Sequence, residues 1–388
     1  MLRLPVYFDY NATTPCDPLV VAEMLPYFSE AFGNAASHSH AFGWAAEEAV
    51  TLARERVARL IGAEAREIIF TSGATEADNL ALKGVFDKYA AKGKHVITCQ
   101  TEHKAVLDTC KHIERMGGEV TYLPVDAQGL VQPVQVASAI RPNTILIALM
   151  YANNETGVLQ PIREISAIAR GHGVLFFCDA TQAVGKVPVD VRADGIDLLA
   201  LSAHKMYGPK GVGALYVRRR DPRVALTPQM DGGGHERNMR SGTLNVPGIV
   251  GLGKAAEQCL SVMDTEGPRL AGLRDHLENA LLALGDTRLN GHPVLRLPHV
   301  TNISFRYIES QSLMRSIAKE LALSSGSACT SASPEPSYVL KAMGLEDELA
   351  HASLRFSLGR FTNREEIDYA IDYLSAAISR LRAASHGV

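Results

Sequence analysis

The sequence predicts an α/β fold: one large parallel or mixed sheet of seven strands with helices over both faces, followed by a smaller second domain. Three observations carry this. The length of 388 residues is about twice that of a typical domain. From about residue 66 to 217, a short apolar run, a polar or glycine-containing loop and a helix-like stretch recur in turn. Most of the apolar runs lack polar alternation, as expected of strands that meet water on neither face.

The predicted strands are Glu67 to Phe70, His95 to Cys99, Glu119 to Leu123, Thr144 to Met150, Val174 to Cys178, Ile196 to Leu201 and Gly213 to Val217. Between them, Ala45 to Leu60 carries apolar residues at helical spacing, and Ile162 to Arg170 follows Pro161 and stops at Gly171. After about residue 262 the rhythm changes to a long helix, a strand near Val300 to Phe305 and two further helices. Residues 15–262 are therefore expected to form the large domain, and residues 1–14 with 263–388 the small one. There is no internal repeat, and the one low-complexity stretch is the Gly/Ser/Ala/Pro segment from Ser324 to Pro336.

A chain that is 46% hydrophobic and 21% charged is neither disordered nor a coiled coil. Its longest apolar runs fall far short of the roughly 20 residues a membrane helix needs, so no bilayer crossing is expected. The N-terminus meets Pro5 and Asp9 before any long apolar stretch, unlike a secretion signal, and a cytoplasmic location is expected. A net charge of -3 offers no overall pull toward nucleic acid, and Arg218 to Arg220 read as a solvated loop. Six cysteines occur without a CxxC pair or zinc-like spacing, so neither a disulfide scaffold nor an intrinsic metal site is expected. Cys99, Cys178 and Cys259 sit in or beside apolar stretches, where a thiol behaves as a small hydrophobe.

Ligands of open α/β sheets bind beyond the carboxyl ends of the strands, so the residues after each apolar run are the ones to inspect. After Phe70 comes TSGATEADN, a glycine-containing turn into a helix whose free amides suit a phosphate; a plain helix cap at Thr75 and Asp78 accounts for the same letters. After Cys99 comes QTEHKAV, with His103 as a flat, protonatable group or an idle helix-start histidine. YANNETG offers Asn154 as a neutral donor or as part of an ordinary Asn-rich turn. In DATQ, Asp179 ends a buried strand, where a carboxylate calls for a cation, although a helix cap is the competing reading. In SAHKMYGPKGVG, Lys205 stands between apolar strands and glycines, where an amine can be desolvated. GPKGVG does not fit the phosphate-loop pattern GxxxxGK[ST]. Together, a phosphate seat, a flat ring, a carboxylate and a lysine are what pyridoxal 5'-phosphate requires. Cys329 is a second centre: SSGSACTSASPEPS is too polar and small-residued for a core, and predicts an exposed, mobile loop carrying a thiol.

TSGATE, TEHKAV, NNETG, DATQ, SAHKMYGPKG, GGGHERNMRSGT and SSGSACTSAS, taken as a set, closely resemble the housekeeping cysteine desulfurases of iron-sulfur cluster assembly, and the likeness runs through nearly the whole chain. The resemblance implies the pyridoxal-phosphate transferase fold of type I, aspartate-aminotransferase-like, class V, in a homodimer. It implies Lys205 as the Schiff-base lysine, His103 against the cofactor ring and moving protons, Asp179 on the ring nitrogen and Gln182 near the phenolic oxygen. Ala74, Thr75, Ser202 and His204 would hold the phosphate, with Thr243 reaching in from the partner subunit. Arg355 would bind the carboxylate of L-cysteine, alongside Asn34 and Asn154, and Cys329 would take the sulfur as a persulfide.

The same resemblance implies an iron-sulfur scaffold protein and other sulfur acceptors, with thionucleosides as a further destination, and no direct contact with nucleic acid. No intrinsic metal is implied, although Cys329 would be placed to ligate transiently a cluster shared with a scaffold. The chain reads Gly33-Asn34-Ala35 where the family often reads Gly-Asn-Pro, and it ends at ASHGV without the further tail by which many relatives dock the scaffold. The rival readings are a selenocysteine lyase or aminotransferase on the same fold, and a non-catalytic assembly platform.

Overall fold

The computed structural model describes residues 2–308, 310–325 and 335–385. Its strands in chain order are β1 (Val6–Tyr7), β2 (Ile68–Thr71), β3 (His95–Cys99), β4 (Glu119–Leu123), β5 (Thr144–Ala148), β6 (Leu175–Asp179), β7 (Leu198–Ser202), β8 (Gly213–Val217), β9 (Thr287–Leu289), β10 (Val300–Phe305), β11 (Leu321–Ala322) and β12 (Ser353–Ser357). Seven of them form one sheet in the order β2-β8-β7-β6-β5-β3-β4. Only β8 runs against its neighbours, so the sheet is mixed and mostly parallel. The seven strands fall on the seven apolar runs.

The lack of polar alternation has its cause in two separate cores. On β6, Leu175 and Phe177 join a cluster under the helices Ala74–Lys88 and Lys104–Arg115. The intervening Phe176 and Cys178 join the opposite cluster, with the helices Ala41–Leu60, Ile162–Gly171 and the start of Val246–Leu282. Every position of β6 is therefore buried, and polar residues are excluded until Asp179 at the strand's end. The helix Ala41–Leu60 begins four residues before the apolar periodicity suggested, because the His40 ring accepts a bond from the Gly43 amide and caps it.

The change of rhythm near residue 262 falls inside one continuous helix, Val246–Leu282, which carries Pro268 within it. Its first half, through Cys259, packs in the sheet's core; Leu270, Leu277 and Leu281 enter another core with β10, β12 and the helix Arg364–Ser385. Val6 and Phe8 from the N-terminal end join that second core. The strand order there is β12-β10-β9, and β1 pairs in parallel with β11. Residues 9–14 then cross from one core to the other: Asp9 bridges Ser357 of β12, and the Thr14 amide donates to the His204 carbonyl at 2.9 Å. Among the described residues no helix is long and apolar enough to cross a membrane.

Candidate active site at the carboxyl ends of the strands

A cavity of about 520 Å³ opens at the carboxyl ends of β2, β3, β5, β6 and β7. Its sheet side gathers Ala74, Thr75, His103, Asn154, Asp179, Gln182, Ser202, His204 and Lys205, all predicted from the sequence, and Arg355 closes it from the other core. Each comes off a strand end for a local reason. Gly73, with φ of 155°, a conformation that side-chain-bearing residues rarely adopt, turns the chain from β2 into the helix Ala74–Lys88. No side chain caps that helix, so its first amides face the cavity with the positive end of the dipole. His103 is the cap residue of the next helix: its Nδ1 accepts from the Ala105 amide at 3.2 Å, which leaves Nε2 to carry a proton. Burial, followed by the Lys205 charge, lowers the His103 pKa, and Asp179 opposes the shift.

Asp179 is 6% exposed, and its Oδ1 accepts from the Thr181 amide at 3.0 Å. Lys205 lies in a short turn after β7, and its Nζ donates to the carbonyls of Asn11 at 2.6 Å and Ala12 at 2.7 Å. His204 Nδ1 meets Thr13 Oγ1 at 3.1 Å; burial and the Lys205, Lys210 and Lys186 charges push its pKa down to about 4, so the ring is neutral. Arg355, 3% exposed on β12, donates through Nη1 to the Asn154 carbonyl at 2.9 Å and through Nη2 to Asp9 Oδ1 at 2.6 Å.

Three polar atoms of lining residues are buried without a partner among the described residues: Asn154 Oδ1, Thr181 Oγ1 and Arg355 Nε. A buried orphan donor or acceptor is costly, and three around one cavity mark a place completed by a polar ligand. Asn34 and Thr243 do not line the cavity: Asn34 lies in an exposed turn where Oδ1 accepts from the Ala36 amide at 2.9 Å, and Thr243 is exposed. Cys329 lies outside the described residues. Sequence reasoning missed Asn11, Ala12 and Lys210, which line the cavity, and Asp9, which holds Arg355. The one available signal was the polar cluster that follows Phe8, which carries no periodicity.

A family model described as aminotransferase class-V matches residues 6–370. The chain belongs to the class-V aminotransferase family. Within class V it is 58% identical, over 99% of its length and 95% of the relative's, to a protein named cysteine desulfurase IscS from Anaeromyxobacter dehalogenans strain 2CP-C. It is 54% identical, with the same coverages, to the cysteine desulfurase IscS of Salmonella schwarzengrund strain CVM19633. Among solved structures, a NifS-like protein superposes with a TM-score of 0.90 at 35% identity, covering 97% of this chain and all of the other. A structure titled SspA in complex with cysteine gives 0.81 at 39% identity, covering 92% and 99%.

Pyridoxal 5'-phosphate is the cofactor of this class-V group, and the cavity fits it. The uncapped helix start suits a phosphate, the buried Asp179 carboxylate suits a protonated ring nitrogen, and the Lys205 amine lining the same cavity is the nucleophile that an aldehyde would need. The orphaned Thr181 hydroxyl and Asn154 amide oxygen are further polar atoms awaiting a partner.

Proposed function

We propose that this chain is a pyridoxal-phosphate-dependent cysteine desulfurase, which moves the sulfur of L-cysteine to Cys329 and releases L-alanine. The observation that carries the reading is the convergence, in one buried cavity, of the Lys205 amine, the Asp179 carboxylate, the His103 ring and the Arg355 guanidinium. The full-length identity to proteins named cysteine desulfurase supports the substrate.

In this reading Ala74, Thr75, Ser202 and His204 hold the cofactor phosphate, Asp179 keeps the ring nitrogen protonated, and His103 and Gln182 contact the ring and its phenolic oxygen. When bound, the cofactor supplies an electron sink for charge left at the substrate's α-carbon. Arg355 Nε, unpartnered and buried, receives the substrate carboxylate with Asn154 and Asn34 alongside. The Lys205 amine takes the α-proton and holds it at Nζ. The Cys329 thiolate then attacks the substrate sulfur: an S–S bond forms, the C–S bond breaks, and the carbon fragment leaves as alanine after protonation. Thiol plus cysteine gives persulfide plus alanine, and no outside oxidant is needed.

The working unit of this proposal is a homodimer in which Thr243 serves the partner's phosphate site. Support comes from Leu25, Phe28, Phe32, Phe42 and Trp44 near the N-terminus, each more than half exposed, large apolar side chains of the kind a second copy would cover. The acceptors proposed are an iron-sulfur scaffold protein and other sulfur carriers, including those that serve thionucleosides. Residues 15–262 and the remainder are proposed as the two domains.

The test is to incubate cysteine with wild type, Cys329→Ala and Lys205→Ala, and to measure alanine and sulfide. Wild type should form both, and each variant should lose them. Equal rates from Cys329→Ala would remove the thiol from the reaction, and colourless protein with no borohydride-sensitive absorbance would remove the cofactor.

A further inference from the structure

The segment from Asp9 to Ala12 touches the site through Asn154, Gln182, Lys205 and Arg355, although none of its letters suggested chemistry. Its centre is Asn11, 1% exposed, and both ends of its side chain are used. Nδ2 donates to the Asn154 carbonyl at 3.0 Å, and Oδ1 accepts from His299 Nε2 at 2.9 Å. The Asn11 amide donates to Ser357 Oγ at 2.9 Å. The Asn11 carbonyl accepts from Lys205 Nζ at 2.6 Å and from Gln182 Nε2 at 3.0 Å. Burial keeps His299 neutral, so its Nε2 proton and the Asn11 oxygen fix the orientation of the amide. The next carbonyl, of Ala12, accepts from Lys205 Nζ at 2.7 Å, and Thr14 Oγ1 pins the following turn to the His204 carbonyl at 3.0 Å.

Resting on the reading of Lys205 as the site's amine, we propose that Asn11 is a positioning residue: it fixes the two carbonyls, its own and that of Ala12, that receive the Lys205 ammonium whenever the amine is not bonded to cofactor. An amine that has taken a proton needs acceptors that favour its charged form. Two carbonyl oxygens in a buried cleft do so, because they accept from the ammonium and cannot donate in return. A peptide plane left free to rotate would offer fewer. Asn11 prevents that rotation by bonding in three directions, to the loop after β5, to β12 and to the histidine before β10. It therefore couples the place where the proton is held to the carbonyl that also orients Arg355, since Arg355 Nη1 and Asn11 Nδ2 share the Asn154 carbonyl.

The other charged or titratable groups facing Lys205 are Asp179 at the end of β6, Lys186 beyond it, His103, and His204 and Lys210 on its own stretch. Glu76 and Arg355 also line the cavity. Asp179, His103 and His204 are held by partners other than Asn11, whereas Arg355 shares the Asn154 carbonyl with it.

The experiment uses cofactor-free, folded protein and an acylating amine reagent, with labelling of Lys205 followed by peptide mass against pH. Asn11→Ala should lower the pH midpoint of labelling by about one unit, a rate roughly tenfold higher below the midpoint. Asn11→Asp keeps an acceptor for His299 but loses the donor to Asn154 and adds a negative charge, so a raised midpoint there reports the charge. If Asn11→Ala does not fold, Asn11→Leu, which keeps the side chain's volume and removes both of its bonds, replaces it and should also lower the midpoint. Folded variants whose midpoint stays at the wild-type value overturn the proposal. Its failure is distinguishable from failure of the underlying reading: if borohydride with added pyridoxal phosphate labels another lysine, Lys205 is not the amine, whatever Asn11 does.

Discussion

The cavity has two sides built on different principles. On the sheet side, Thr75, His103, Asp179 and Lys205 each stand at or just beyond the end of a buried strand, and His103 and Asp179 are held by near neighbours in the chain, as Asp179 Oδ1 is by the Thr181 amide. On the clamp side, Asp9, Asn11, His299 and Arg355 come from the two ends of the chain, and their bonds join residues hundreds of positions apart. Reactive groups thus sit on the rigid sheet, and the groups that grip and orient sit on a second core. The two sides meet through the carbonyls of Asn11, Ala12 and Asn154.

The contrast can be broken most forcefully at Lys205. Lys205→Ala should reduce alanine formation by at least about 10²–10⁴-fold, the range of a positioned proton-transfer group, with little change in thermal midpoint. On the clamp side, Arg355→Ala should act on binding: removing a buried, hydrogen-bonded charge that also pairs Asp9 should raise the KM for cysteine by about 30-fold or more while kcat falls less. An equal fall in kcat with KM unchanged would show that the two sides do not divide the work in this way.

Glu102 sharpens the comparison from beneath the sheet side. Its carboxyl is fully buried, accepting from the Met150 amide at 2.6 Å, and burial, reinforced by Asp179, pushes its pKa up to about 8. A carboxyl raised in the folded state stabilises most below its unfolded pKa. That stability is lost as pH rises from the ordinary carboxylate range through about 8. Wild type should therefore lose thermal stability as pH rises toward about 8, and Glu102→Gln should lose less, by on the order of a few kcal/mol. Parallel curves would place the proton elsewhere. The smallest effect is expected at Thr243. Thr243→Ala should weaken cofactor binding about fivefold, the loss of one hydrogen bond across the proposed dimer, as read by equilibrium titration.

Legibility followed the same division. All seven strands of the large sheet could be placed because each is a short apolar run bounded by a turn, and the cavity's sheet side followed, since ligands collect where parallel strands end. Arg355 lies mid-strand on β12, flanked by Leu354 and Phe356, and its residues carry no local mark of a site; it was reached through the family resemblance alone. Asn11 and Asp9 were missed because their importance lies in partners that the chain brings together only on folding, with His299 and Arg355 288 and 346 residues away. The long helix Val246–Leu282 hid the transition between cores, because helical spacing continues unbroken while the partner of its apolar face changes.

The most direct test of the account is to mix the holoenzyme with one equivalent of L-cysteine and weigh the peptide that contains Cys329. Wild type should gain the mass of one sulfur atom, removed by a thiol reductant and matched by one alanine. Lys205→Ala, with its thiol intact, should gain nothing. A sulfur adduct formed equally in both proteins, or alanine formed without any adduct, would contradict the account.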